Sequence, residues 1–282
     1  MTRTDEIAKM VSNRMGDEFK VEAREVRKNN GLIRKGITIQ PVESNIGPTI
    51  YVDEMIDEMT DAEIADKVVE IYESQLDSME GLNGIADKIT NRDFVLSHLT
   101  ARLVNADKNE SLLEEVPHTM FEDMAVIYQV APTPETSTLL TYKLAEDADV
   151  EGEDLLKIAL SNMKFKSCTI GQILEEMIGM PAEQFDGEIA MHVITTERRV
   201  FGAVGMLDYK LLGEVADKIG SDIYILPSSI HELIAVSSEA GDLGQIQDVV
   251  KSVNRTEVSD DEYLSDSVYM YSREAKRVTR VA

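Results

Sequence analysis

Two serines, a histidine and a glutamate fall within five positions of the stretch YILPSSIHELIAV, residues 224–236. Ser228, Ser229, His231 and Glu232 are the side-chain types of a hydrolytic triad, in which a base takes the serine proton and a carboxylate orients the base. The spacing argues against that chemistry. An α/β-hydrolase nucleophile sits in a Gly-x-Ser-x-Gly elbow, whereas here Pro227 precedes the serines and Ile230 follows them. The flanking apolar runs instead predict strand, Pro-Ser-Ser turn and returning strand, which sends His231 and Glu232 to opposite faces of a sheet. Ser229, His231 and Glu232 remain the catalytic candidates of this stretch.

The second polar cluster is VPHTMFED, with His118, Glu122 and Asp123. If the chain is helical from Thr119 onward, His118 and Glu122 share a face at i, i+4 spacing, as metal ligands or an acid–base pair would. The alternative is a local hydrogen bond tying a loop to the next strand. A single histidine with carboxylates falls short of the nitrogen and sulfur ligands usual for zinc. His98 in LSHLT and His192 in AMHVI read as sheet residues. With four scattered histidines, no Walker loop and no Gly-x-Gly-x-x-Gly, no metal or cofactor is expected. The two glycines of GAVGM, inside an apolar run, point to close backbone packing. Asn254 and Arg255 in VNRTEV are candidate binding residues at a helix end, ahead of the acidic run SDDEYLSD.

The elements that must position these groups predict an α+β fold, a mostly antiparallel sheet of hairpins interleaved with helices. A small helix–hairpin–helix region, residues 1–90, precedes an α+β domain, residues 91–282. In the first region Ile7, Met10, Val11 and Met15 have helical spacing between a Thr4 cap and Gly16. FKVEAREV and RKGITIQPV flank the turn signal KNNGL as a hairpin. Thr60 and Glu63 form a capping box ahead of the stripe Ile64, Val68, Ile71, Tyr72 and Leu76. GLNGIADKITNRD marks the boundary. Beyond it FVLSHLTARLV is expected as a strand, AVIYQVA as a central strand and STLLTYKL as its partner. EGEDLLKIALSNM and TIGQILEEMIG are expected helices, followed by a loop around Pro181 and Gly187. AMHVITT, VFGAVGML and DIYIL are expected strands, with the helix YKLLGEVADKIG before the last. LGQIQDVVKSV reads as a helix, and SVYMYSREAKRVTRV as a closing hairpin.

Charge narrows the function classes. The 282 residues carry a net charge of −25, which repels nucleic-acid backbones and anionic membranes. Lys20, Arg24 and Arg27 on the first hairpin, with Arg273, Lys276, Arg277 and Arg280 near the C-terminus, are the one basic footprint. It lacks aromatic interleaving, so nucleic acid is an unlikely partner. Residues 53–80 are the reverse, a run of acids against Lys67. Such a surface suits solubility or a basic protein partner. One cysteine, Cys168, excludes an intramolecular disulfide. No run approaches the ~18 apolar residues of a membrane span, so a cytoplasmic protein is expected.

The blocks VPHTMFEDMAVIY, RVFGAVGML, SDIYILPSSIHELI and VNRTEVSDDEYLSDSVY, with KGITIQPVESNIGPTIYVDEM before them, resemble domain of unknown function 5688. The likeness covers nearly the whole chain. It implies a bacterial cytoplasmic protein of gut Firmicutes, often encoded on mobile elements, with no established reaction. It marks Pro117, His118, Ser229, His231, Glu232, Asn254 and Arg255 without assigning them roles.

Three functions follow. The first is a non-enzymatic acidic module that binds a protein, with a basic protein as the candidate partner, and is accessory to a mobile element. The second is a hydrolase or metal-dependent enzyme using His118 with Glu122, or Ser229 with His231 and Glu232. The third is nucleic-acid binding through Lys20, Arg24 and Arg27. The oligomeric state is left open.

Overall fold

The computed structural model describes residues 1–44, 47–74, 88–133, 136–179, 181–182, 191–227 and 229–282. Ser228, Leu76, Asp77, Glu80, Gly81, Gly84 and Gly187 lie outside the described residues. The chain divides into two compact units, Met1–Phe94 and Val95–Ala282.

In the first unit, α1 (Arg3–Met15) packs on a three-stranded antiparallel sheet of order β1-β2-β3, formed by Phe19–Arg27, Ile33–Pro41 and Thr49–Tyr51. The cap of α1 is Thr2 rather than the expected Thr4. The Thr2 hydroxyl accepts from Asp5 N at 3.2 Å, and the Asp5 carboxylate accepts from Thr2 N at 2.6 Å. This reciprocal pair satisfies two donors that a Thr4 cap would leave open, and Thr4 is buried instead. The β1–β2 register runs from Phe19 opposite Pro41 to Arg27 opposite Ile33, closed by a turn with Asn30 and Gly31 at φ 58° and 71°. After α2 (Asp53–Ile56), α3 (Asp61–Ser74) starts at the expected capping box, where Glu63 accepts from both Thr60 N and Thr60 Oγ1. Ile7, Val11, Ile37, Ile39, Ile64, Val68 and Tyr72 form the core. Part of the acidic face is neutralised locally: Arg3 pairs with Asp61 and Arg14 with Asp66, each at 2.7 Å.

The second unit holds two antiparallel sheets. Helix α4 (Arg92–Ser97) leads into β4 (Leu99–Asn105). Residues 94–97, expected as strand, are helical because the Asn91 side chain accepts from Phe94 N at 3.0 Å and starts a helical turn. After α5 (Glu110–Leu113) come β5 (His118–Phe121) and β6 (Met124–Val130), whose seven residues are all buried. β6 pairs with β4, with β5 and, at its end, with β7 (Thr138–Leu139). The expected partner STLLTYKL thus contributes two residues before Thr141 caps α6 (Tyr142–Asp147).

The second sheet has the order β13-β12-β10-β11-β9-β8. Its strands are β8 (Phe165–Thr169), β9 (His192–Thr196), β10 (Ile223–Leu226), β11 (Glu232–Ser237), β12 (Tyr269–Ser272) and β13 (Arg277–Arg280). Helices α7 (Leu155–Asn162), α8 (Ile170–Ile178), α9 (Tyr209–Ile219) and α10 (Leu243–Glu257) fall where helical spacing predicts them, whereas β8 was not expected.

The strand expected at VFGAVGML is a 3₁₀ segment, Gly202–Leu207. Gly202 explains why. A Cβ there would stand 2.5 Å from Thr195 Cα and 2.6 Å from the His231 carbonyl oxygen. The backbone lies directly against β9 and the start of β11, too close for a side-chain-bearing strand residue.

Candidate functional site

The hairpin β10–β11 places the serine–histidine–glutamate cluster at its closed end, with Leu226 opposite Ile234. Ser229 is buried; its Oγ accepts from His231 N at 3.0 Å and donates to Glu232 Oε1 at 3.4 Å. The His231 ring engages other groups. Its Nδ1 accepts from Phe201 N at 3.2 Å, and its Nε2 faces Glu262 Oε1 at 3.4 Å. Because Nδ1 is an acceptor, the neutral ring carries its proton on Nε2, toward Glu262. Ser229 and Glu232 therefore meet in a turn, while the base of the would-be triad points to a different carboxylate.

The His118–Glu122 pairing rests on a helix that does not form. Residues 118–121 are the strand β5, and Glu122 sits in the turn to β6 at φ 53°. His118 is exposed, and its Nδ1 lies 3.0 Å from the Val116 carbonyl oxygen, the local loop bond that was the alternative reading. Among the described residues no group of three or more His, Cys, Asp and Glu is arranged to hold a metal ion.

Asp123, beside Glu122, is a structural centre instead. Its carboxylate accepts from Ser265 at 2.7 Å, from Ser267 at 3.1 Å and from the Tyr269 hydroxyl. Burial alone would raise this carboxyl; the bonds from Tyr269, Ser265 and Ser267 outweigh it and hold the group below its usual range. Burial and the Asp123 partner push the Tyr269 phenol up. Asn254 is buried in α10, and its Nδ2 donates to Ser265 O and Asp266 Oδ1, both at 2.9 Å. It ties down the loop that carries the serines, while Arg255 beside it is exposed. In the first unit, Lys20 and Arg24 both pair with Glu22, at 2.9 and 2.8 Å, and Arg27 is exposed at the hairpin end.

A concave feature among the described residues of the second unit lies elsewhere. A cavity of about 460 Å³ opens between the start of β4, the end of β6, the α7–β8 junction and the turn after β9. Its lining is rich in hydroxyls, from Ser97, Thr100, Thr133, Thr136, Ser137 and Thr196, with the amides of Gln129 and Asn162. Lys164, Arg198 and Glu197 are exposed charges of the lining, so its described residues carry two cations against one carboxylate. In a chain of net charge −25, that balance is the inverse of the surface at large.

Val200 and Phe201 close one side. Thr196 Oγ1 clamps the turn, accepting from Val200 N at 3.1 Å and donating to Val200 O at 2.9 Å. Arg199 and Phe201 are left-handed, at φ 57° and 54°. Such conformations are unfavourable for non-glycine residues and concentrate at ligand sites. Phe201 is held by His231 through the N–H to Nδ1 bond and by ring stacking at 5.5 Å and 22°.

Over the Phe201 ring lies the guanidinium of Arg102, 5.1 Å from the ring centre. Thr100 and Arg102 alternate onto one face of β4, opposite Gln129 and Ile127 of β6. Burial lowers the Arg102 pKa to about 10. Its Nε is sealed from solvent without a hydrogen-bond partner. Periodicity does not single Arg102 out: in LTARLV it reads as the outward residue of an alternating strand.

A family model described as a family of unknown function, DUF5688, matches residues 3–273. No curated protein and no solved structure matches the chain.

Proposed function

The chain belongs to the family of unknown function DUF5688, and on that premise we propose that its second unit is a binding module for a small polar molecule. The supporting observation is the cavity of about 460 Å³, lined by hydroxyls, two amides and more described cations than carboxylates. Its size lies within the range of small-molecule pockets. The reading is of binding rather than turnover, since Ser229, His231 and Glu232 are engaged in turn and wall contacts. Cys168, the one cysteine, fits a reducing compartment such as the cytoplasm.

Thermal denaturation of the full chain against a panel of sugars, amino acids, nucleosides and small organic acids tests this reading. Ser137→Trp, at an exposed lining position, is the control. At least one compound should raise the melting temperature of the wild type and not of S137W. If S137W follows the wild type for every compound, the cavity is not the site.

A second reading, a basic protein partner, rests on the net charge of −25. Pull-down from lysate at low and moderate salt addresses it, because an electrostatic complex weakens as the Debye length shrinks. Finding no salt-sensitive partner removes its support. Nucleic-acid binding through Lys20, Arg24 and Arg27 is the weaker alternative, because Glu22 already engages the first two.

A further inference from the structure

Arg102 poses a physical problem that the fold leaves open. Arg102 is half-buried, with its Nε sealed from solvent, and a guanidinium withdrawn from water in this way is ordinarily matched by a carboxylate and hydrogen bonds. Among the described residues Arg102 has neither: its one recorded partner is the Phe201 ring, 5.1 Å away, and its Nε has no acceptor. An aromatic face is a modest substitute for an anion. The same Phe201 lines the cavity, as does Thr100, two residues before Arg102 on the same face of β4. Arg102 is not itself a lining residue; the Phe201 ring, which is, holds the guanidinium 5.1 Å from its centre.

We infer that Arg102 is the anchor for an oxyanion, a carboxylate or phosphate carried by the cavity's ligand, and that the Phe201 ring occupies the guanidinium face until that group displaces it. This rests on the cavity reading above and specifies the chemical class of its ligand. The guanidinium fork suits both groups, since each offers two oxygens to parallel N–H donors. Lys164 and Arg198 add long-range attraction but, being exposed, little of the fixed geometry. A cation kept without a protein partner also carries a signature opposite to that of a structural arginine: removing it should not harm the free fold.

The test is calorimetric titration of the full chain with inorganic phosphate and, separately, with acetate, at low salt. The wild type, Arg102→Met, Arg102→Lys and Ser137→Trp are compared, together with the melting temperature of each free protein. Saturable binding of at least one oxyanion is expected, and the one that binds more tightly identifies the ligand group. R102M should weaken it about tenfold or more, with R102K in between, while free R102M melts at or above the wild type. Wild-type affinity in R102M together with loss in S137W overturns the role of Arg102 and leaves the cavity reading standing. Unchanged affinity in both variants overturns both. No saturable binding of either oxyanion, or a free R102M that melts below the wild type, overturns the inference. Wild-type affinity in R102K has the same overturning force.

Discussion

The backbone N–H of Phe201 donates to Nδ1 of His231 at 3.2 Å while the two rings stack 5.5 Å apart. That pair joins residues 30 positions apart and fixes an aromatic side chain on a left-handed backbone. The histidine of the SSIHE cluster is a positioning residue for a cavity wall.

His231→Ala should lower stability by about 2 kcal/mol, from the lost acceptor and the lost ring contact. Urea denaturation measures it. A wild-type midpoint would show that the stacked pair contributes nothing.

Gly202→Ala should be more severe, at about 2–4 kcal/mol, because its Cβ would meet Thr195 Cα at 2.5 Å and the His231 carbonyl oxygen at 2.6 Å. Backbone atoms of β9 and of the residue before β11 must move to admit it. Thermal melting of G202A checks this, with Gly152→Ala, where a Cβ meets nothing within 4 Å, as the neutral comparison.

Asp123 supplies a pH dependence. Its folded carboxyl is held below the ordinary 3.8, so its stabilisation is complete above that value and is lost as pH falls through the lowered one. At neutral pH, Asp123→Asn should cost about 2 kcal/mol, the scale of hydrogen bonds to a charged acceptor. The difference between wild type and D123N should shrink below pH 3.8. A difference that stays constant with acidification would mean that the charge of Asp123 is not what the three hydroxyls stabilise.

A fluorophosphonate probe, which labels activated serines, should leave Ser229 unmodified. Both His231 ring nitrogens face other groups, and Ser229 is buried in its turn. Covalent labelling at Ser229, located by mass spectrometry, would restore the hydrolase reading.

The parts of the fold legible in the sequence are those where periodicity and turn chemistry agree. The hairpins at residues 19–41 and 223–237 have alternating runs closed by Asn30–Gly31 or by Pro227, and the β6 run AVIYQV is apolar but for Gln129 because its whole strand is buried. VFGAVGML misleads because an apolar run without period fits a strand equally well. What decides it, the contact of Gly202 with Thr195 and His231, is set by distant chain. Residues 118–122 mislead for a related reason: i, i+4 spacing has meaning on a helix, and β6 recruits HTMF into a sheet. Of the candidate residues, His231 holds a wall against Phe201 and Asn254 holds a loop through Ser265. Arg102 is invisible for the opposite reason. Alternation places it on a strand face, but that no carboxylate reaches it is a property of the assembled unit alone.

The carboxylate of Asp123 and the hydroxyl of Tyr269 are separated by 146 positions. At a synthesis rate of ~5–20 residues per second, the acid leaves the ribosome on the order of ten seconds before its third partner. Through that interval β4, β5 and β6 can assemble from local chain, but the corner at Asp123 must stay hydrated. The second unit thus keeps one seam open until its C-terminal strands are made, and a nascent chain stalled short of them would present that acidic corner to the cell.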